Sequence, residues 1–301
     1  MAFAFALADE TLQKGLRRIA AEQIDLALAL AADTGGAPGP RIHDMRKAVK
    51  KLRALLRLLA PVMAGARAEN ALLRDAANGI SATRDAEVMA LTLQDLLRGA
   101  DLDPDGLGSL QATFERARQA AAQPAALEPA IVPFATALAD AGERARHWRI
   151  KRQGFAALAP GLAVGWDAAR RAQAAALRHD EDSLVHEWRK RAKDHWYQAR
   201  LLRPLWPQAM DPHIAAADQL GETLGLWHDI AVLRAALHAL DLPPTLLTRV
   251  QDLAQARQTA LMTQAAPLGR RLFAGKSRAL VARASVWWQV WQDQGGTGAP
   301  H

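Results

Sequence analysis

Two segments of this 301-residue chain carry cations at a spacing that could grip an extended anion. In the first, His43, Arg46, Lys47, Lys50, Arg53 and Arg57 follow one another at intervals of three or four. Such residues share one face of a helix, over roughly 21 Å from first to last. Ile42, Met45, Val49, Leu52, Leu56 and Leu59 take the remaining face at the same period, so one helix can bury one side and present charge on the other. Asp44 is the only acid between Arg41 and Arg57. Cations on successive turns therefore repel, by a few tenths of a kcal/mol (~0.3) per exposed pair, until an anion neutralises them. Arginine offers phosphate oxygens a planar fork, lysine a point charge, and histidine a further charge below about pH 6.5. The chemistry this row supports is capture of a long, flexible, densely anionic polymer, with release of its counterions.

The row occurs twice. Val185-His186-Glu187-Trp188-Arg189-Lys190-Arg191-Ala192-Lys193, continuing to Arg200 and Pro204, aligns without a gap on Ile42 to Lys50, Arg57 and Pro61. The second row is His186, Arg189, Lys190, Lys193, Tyr197 and Arg200, with the chain's single tyrosine inside it. About forty residues further on in each half, Ile80-Ser81-Ala82-Thr83-Arg84-Asp85 matches Leu224-Gly225-Leu226-Trp227-His228-Asp229. Two blocks repeated in one order argue for internal duplication. An ordinary solvated helix face mixes charge signs, and these do not. Asp85 and Asp229 are unsuited to meet a polyanion themselves and are assigned to orienting a cation or capping a helix. Arg17, Arg18, Lys51, Arg84 and His228 form a secondary set of basic candidates, with the clusters Arg144 to Arg152 and Arg170-Arg171 behind them.

The elements that must position these rows are helices. Half the residues are hydrophobic, dominated by Ala and Leu, and no stretch reads as a strand. Breakers are expected at Asp33 to Pro40, Gly99 to Gly106, Pro160-Gly161 and Leu242-Pro243-Pro244. The simplest architecture is all-α: two four-helix-bundle-like halves, about 1–153 and 154–294, related by a pseudo-two-fold and packed as one domain, with a flexible tail at 295–301. Lys and Arg number 38 against 31 acids, a formal charge of +7, which favours an anionic partner. Without cysteine there is no disulfide or thiolate chemistry. The apolar start Met1 to Ala8 lacks a basic region and runs into Asp9-Glu10, unlike a signal peptide, and no apolar run is long enough to span a bilayer, so a cytoplasmic location is expected.

His-x-x-Arg-Lys-x-x-Lys on a basic helix, repeated, with Arg-Asp or His-Asp before an aliphatic run in each half, resembles the CHAD family, the conserved histidine α-helical domain. The resemblance covers nearly the whole chain. It implies two four-helix bundles around a basic central cavity and binding of inorganic polyphosphate at bacterial polyphosphate granules, with no catalytic activity and no cofactor. Carried over position by position, the family's basic residues fall on the two rows named above. The copies differ where Asp194 stands opposite Lys51 and Trp196 opposite Arg53, which weakens the second row. Many members are fused to a triphosphate-cleaving β-barrel, and the lack of a strand-rich segment here implies a stand-alone form.

Three other readings use the same residues. A nucleic-acid module would place phosphates on the same cations, but single-strand binders add exposed aromatic platforms. All nine tryptophans lie from Trp148 onward, and Trp188, Trp227 and Trp287 fall where helices should pack. The likeness of His43-Asp44 and His228-Asp229 to a His-Asp metal phosphohydrolase is superficial, because neighbouring Arg and Lys would repel a metal. A scaffold with no anionic ligand is the third.

Overall fold

The structure is a computed structural model, describing residues 3–296 apart from Thr34, Gly36, 100–103 and Asp180. Among the described residues the chain forms eleven α-helices: α1 (Leu12–Ala32), α2 (Pro38–Leu59), α3 (Ala66–Gly79), α4 (Ala82–Leu96), α5 (Pro104–Ala121), α6 (Pro124–Ala145), α7 (Phe155–Ala176), α8 (Asp182–Leu201), α9 (Pro207–Leu237), α10 (Pro244–Leu272) and α11 (Ser277–Gly296). The fold is all-α, as the composition implies. Among the described residues, β pairing is confined to one isolated bridge between Met63 and Ile150.

The basic segments lie on α2 and α8, and their apolar periods are what hold them. Ile42, Met45, Val49, Leu52, Leu56 and Leu59 are all buried, as are Val185, Trp188, Ala192 and Leu201 on α8. Fully burying a side chain of that size contributes about 2 kcal/mol, enough over several turns to outweigh cation repulsion on the opposite face. The first residues join the same core: Phe3 and Phe5 are buried, and Phe5 N–H donates to Leu201 O at 3.2 Å. Thr11 starts α1 by accepting from Lys14 N–H at 3.1 Å.

The two sequence halves do not correspond to two separate cores. A second apolar cluster joins Leu93, Leu97, Leu110 and Phe114 to Leu233, Leu237, Leu246 and Val250, drawn from α4, α5, α9 and α10. Helices of the first half thus pack on helices of the second. The copies also differ in continuity: α3 and α4 are broken at Ile80-Ser81, whereas α9 runs uninterrupted for 31 residues.

Three of the expected breaks and the expected tail move, the break at Gly99 to Gly106 by the start of α5 at Pro104. Pro38-Gly39-Pro40 begins α2, with proline in the first turn, where its missing N–H is harmless. Gly295 and Gly296 end α11, and the rest of the expected tail, 297–301, lies outside the described residues. Pro160-Gly161 is inside α7, whose start is set instead by Gly154 at φ +55°. Gly161 is there because α2 crosses it: a Cβ would stand 1.7 Å from Leu58 O. Gly161→Ala is expected to cost about 3 kcal/mol or more, or to prevent folding, because backbone has to move. Gly79→Ala, where a Cβ meets nothing within 4 Å, should be neutral or slightly stabilising. Denaturant melts of the two variants check this contrast.

Candidate functional site

Lys50 is the focal group of the site. Its side chain is exposed to solvent, yet enough protein surrounds the ammonium for desolvation, and then Arg189, Arg46, Lys193 and Arg84, to bring its pKa down to about 8. Solvent and four neighbouring cations thus share the surroundings of this one ammonium. The four cations that depress it come from α2 (Arg46), α4 (Arg84) and α8 (Arg189, Lys193). Both basic helices and one of the helices bearing the second matched block therefore meet at Lys50.

Two glycines on α9 make this approach possible. A Cβ on Gly221 would come within 2.3 Å of Lys193 Cδ, and one on Gly225 within 3.4 Å of Arg189 Nε. Their i, i+4 spacing matches that of Arg189 and Lys193, so the two long side chains lie in register across bare backbone. Gly39 does the same on α2, where a Cβ would come within 2.8 Å of Glu87, the carboxylate paired with Arg84 at 2.8 Å. A glycine buried inside a helical pattern is the signal that could have marked Gly221 and Gly225 from sequence.

The cations differ in how far the protein itself satisfies them. Lys47, Lys50 and His43 make no ion pair or hydrogen bond among the described residues, and Arg189 Nε is buried without a partner. Arg46 donates to Ala77 O at 2.8 Å. Arg53 and Arg57 share Asn70 Oδ1 at 3.2 and 3.1 Å, and Arg57 also bridges to Asp194. Arg53 is brought down to about 10, by burial and then by Arg57. Lys51 stands 5.6 Å from the Phe3 ring centroid, and Arg200 4.9 Å from that of Trp196.

The second row departs from its expected freedom. Lys193 lies 4.1 Å over Trp196 and pairs with Asp218 at 3.2 Å and Glu222 at 2.7 Å, while Lys190 pairs with Glu187. The expectation of unmixed charge holds for α2 but not for α8, because Glu187 of α8 itself holds Lys190 and α9 brings Asp218 and Glu222 to Lys193. Tyr197, one turn beyond Lys193, is not an accessible part of the row: it is buried edge-on to Phe3 at 6.2 Å, and burial pushes its hydroxyl pKa up. Arg17 donates to Trp148 O at 3.0 Å and Arg18 pairs with Asp9 and Glu22, so both are committed inside the fold. Arg144 is likewise held by the buried Glu69 at 2.9 Å.

The histidines carry less charge than their ordinary pKa implies. His186 and His228 stack at 4.1 Å between centroids, each with a buried Nδ1 lacking a partner. Burial first, then neighbouring His186, Arg189 and Lys190, brings His228 to about 4, and burial with Lys190 and Arg189 lowers His186. Burial and Arg84 lower His43. All three are therefore less protonated near neutral pH than a free imidazole. Asp229, raised by burial, feels Arg189 and Arg84, and Asp85 acts on Arg46 across α4 and α2. Neither makes a direct bond to these cations, so their influence is electrostatic. No three His, Asp or Glu side chains among the described residues cluster as metal ligands.

The model of the CHAD domain matches residues 10–238, more than half of the chain. The chain belongs to the CHAD family. A solved CHAD domain from the plant Ricinus communis is similar in fold, with a TM-score of 0.51 over 95% of this chain and 93% of that one at 18% identity. No curated protein matches. No described helix of this CHAD domain is long and apolar enough to cross a membrane.

Asp194 is the main departure within the site, since it replaces a lysine of the first copy. Burial pushes its carboxyl above the usual range, partly offset by Arg57 and Arg191. Asp194→Ala leaves Arg57 and Arg53 facing each other with only Asn70 between them. It is expected to cost about 2–3 kcal/mol of stability, read in urea unfolding.

Proposed function

We propose that this CHAD domain is a non-catalytic binding module for inorganic polyphosphate. The observation that carries the reading is the gathering of Arg46, Arg84, Arg189 and Lys193 around Lys50. Lys50 and the Arg189 Nε have no partner among the described residues, and both lie where α2, α4, α8 and α9 meet. A linear chain of phosphates can satisfy such a cluster one unit at a time, with Arg46 and Arg189 as forks and Lys47 and Lys50 as point charges. Association with polyphosphate granules in the cytoplasm would follow from that affinity.

Polyphosphate is favoured over nucleic acid because the tryptophans on these helices offer bases nothing to stack on. Trp188, Trp196 and Trp227 are buried. In a competition titration at physiological salt, polyphosphate should displace DNA and RNA of equal charge, and preferential retention of a nucleic acid contradicts the assignment.

Lys50→Gln and Arg189→Gln suit a direct test because neither removes an internal ion pair, so the fold should hold. Together they should weaken polyphosphate binding at least about tenfold. They should also make the slope of log affinity against log salt shallower by about one per cation removed. Unchanged affinity and slope would place the site elsewhere.

Binding should also depend on pH with a defined sign. Lys50 begins near 8 against an ordinary 10.5, and a bound polyanion favours its charged form. Between those values binding takes up a proton, so affinity falls as pH rises through the window and is flat below it. Calorimetry in buffers of different ionisation enthalpy reads the proton count, and its loss in Lys50→Gln assigns it.

A further inference from the structure

Helix α8 carries a polar group that the cationic site does not use. His195 lies two residues beyond Lys193, about 200° around the helix, and so faces away from the cationic cleft. Its ring is buried edge-on to Trp166 and Phe273, each at 5.2 Å, and its Nε2 is 2.8 Å from Nε2 of His213 on α9. The two imidazoles line a cavity of about 320 Å³ whose other walls come from α7, α9 and α11 and include Leu162, Met210, Arg283 and Trp287. Burial brings His195 down to about 3, and burial with Arg283 lowers His213, so both rings are neutral at pH 7. The contact between them is then a single hydrogen bond, one ring donating and the other accepting.

Among the described residues, Arg283 alone brings a fixed charge to the lining of this cavity. It is exposed at the rim, 5.3 Å from the Trp287 ring centroid, and has no carboxylate partner among the described residues. A mostly apolar chamber with one uncompensated guanidinium excludes cations and wastes the charge on a neutral guest. A strongly hydrated polyanion would lose more by entering than one fork could return. The volume is near the lower end of the ~300–1,000 Å³ range of small-molecule sites.

We infer that this cavity binds a small amphipathic monoanion, an aromatic or medium-chain carboxylate. Its apolar body lies against Leu162 and Met210, and its carboxylate meets Arg283 and His213 at the rim. The planar pair of carboxylate oxygens matches the guanidinium fork, and stacking on Trp287 keeps that fork oriented.

Octanoate, phenylacetate and the uncharged 1-octanol test this by ligand-observed NMR titration of the full chain. One of the two carboxylates should bind saturably at one site. Arg283→Gln should weaken it about tenfold while changing 1-octanol less than about twofold. Ala209→Leu, at a half-exposed position lining the same cavity, should weaken the carboxylate that binds and 1-octanol alike while leaving the melting temperature and polyphosphate binding unchanged. Failure of both carboxylates to saturate, binding indifferent to Arg283→Gln, or binding indifferent to Ala209→Leu overturns the assignment.

Discussion

Everything at the cationic site depends on like charges being held together by apolar contacts on their far side. Arg46, Lys50, Arg189 and Lys193 repel one another, and no carboxylate among the described residues bonds Lys50 or Arg189 to relieve them. They stay in place because Ile42, Met45, Val49 and Leu52 on α2, and Val185, Trp188 and Ala192 on α8, are buried in one core. In the binding role proposed here, repulsion held in this way is electrostatic preorganisation: a polyphosphate would meet cations already gathered, and each phosphate would remove a standing penalty.

The carboxylates nearby set the limits of that penalty. Asp218 and Glu222 hold Lys193, Asp194 ties α8 to Arg57, and Glu87 holds Arg84. The α2 row is thereby left the freer of the two. Charge on the two copies is unequal for a structural reason, since the Arg57 to Asp194 bridge pins together the helices that carry them. A site with every cation unpaired would offer more charge, at a further cost in stability.

The helical fold and the burial pattern of α2 were legible in the sequence because a 3.6-residue period is a local property. The rows of cations were legible for the same reason. What local period could not show was the far side of each contact: the carboxylates Asp218 and Glu222 that α9 brings to Lys193, or the core that takes in Tyr197 at a position where the first copy has none. Arg17 and Arg18 looked like surface charge, yet their partners Trp148 and Asp9 lie 131 and nine residues away. Pro160-Gly161 read as a stop because proline and glycine usually are, whereas Gly161 answers to Leu58 on a helix a hundred residues earlier. The matched sequence blocks pointed to the basic helices but not to their packing, since α4 and α5 share an apolar cluster with α9 and α10 across the sequence halves.

The convergence of cations from both basic helices on Lys50 is tested most directly by the pKa of that one ammonium in the free protein. NMR titration of the Lys50 side-chain nitrogen, assigned by its loss in Lys50→Gln, should give a value near 8 that moves upward when Arg189 is changed to Gln. An ordinary value near 10.5, unmoved by Arg189→Gln, would mean that the α2 and α8 cations do not share a concave surface, and the account would fail with it.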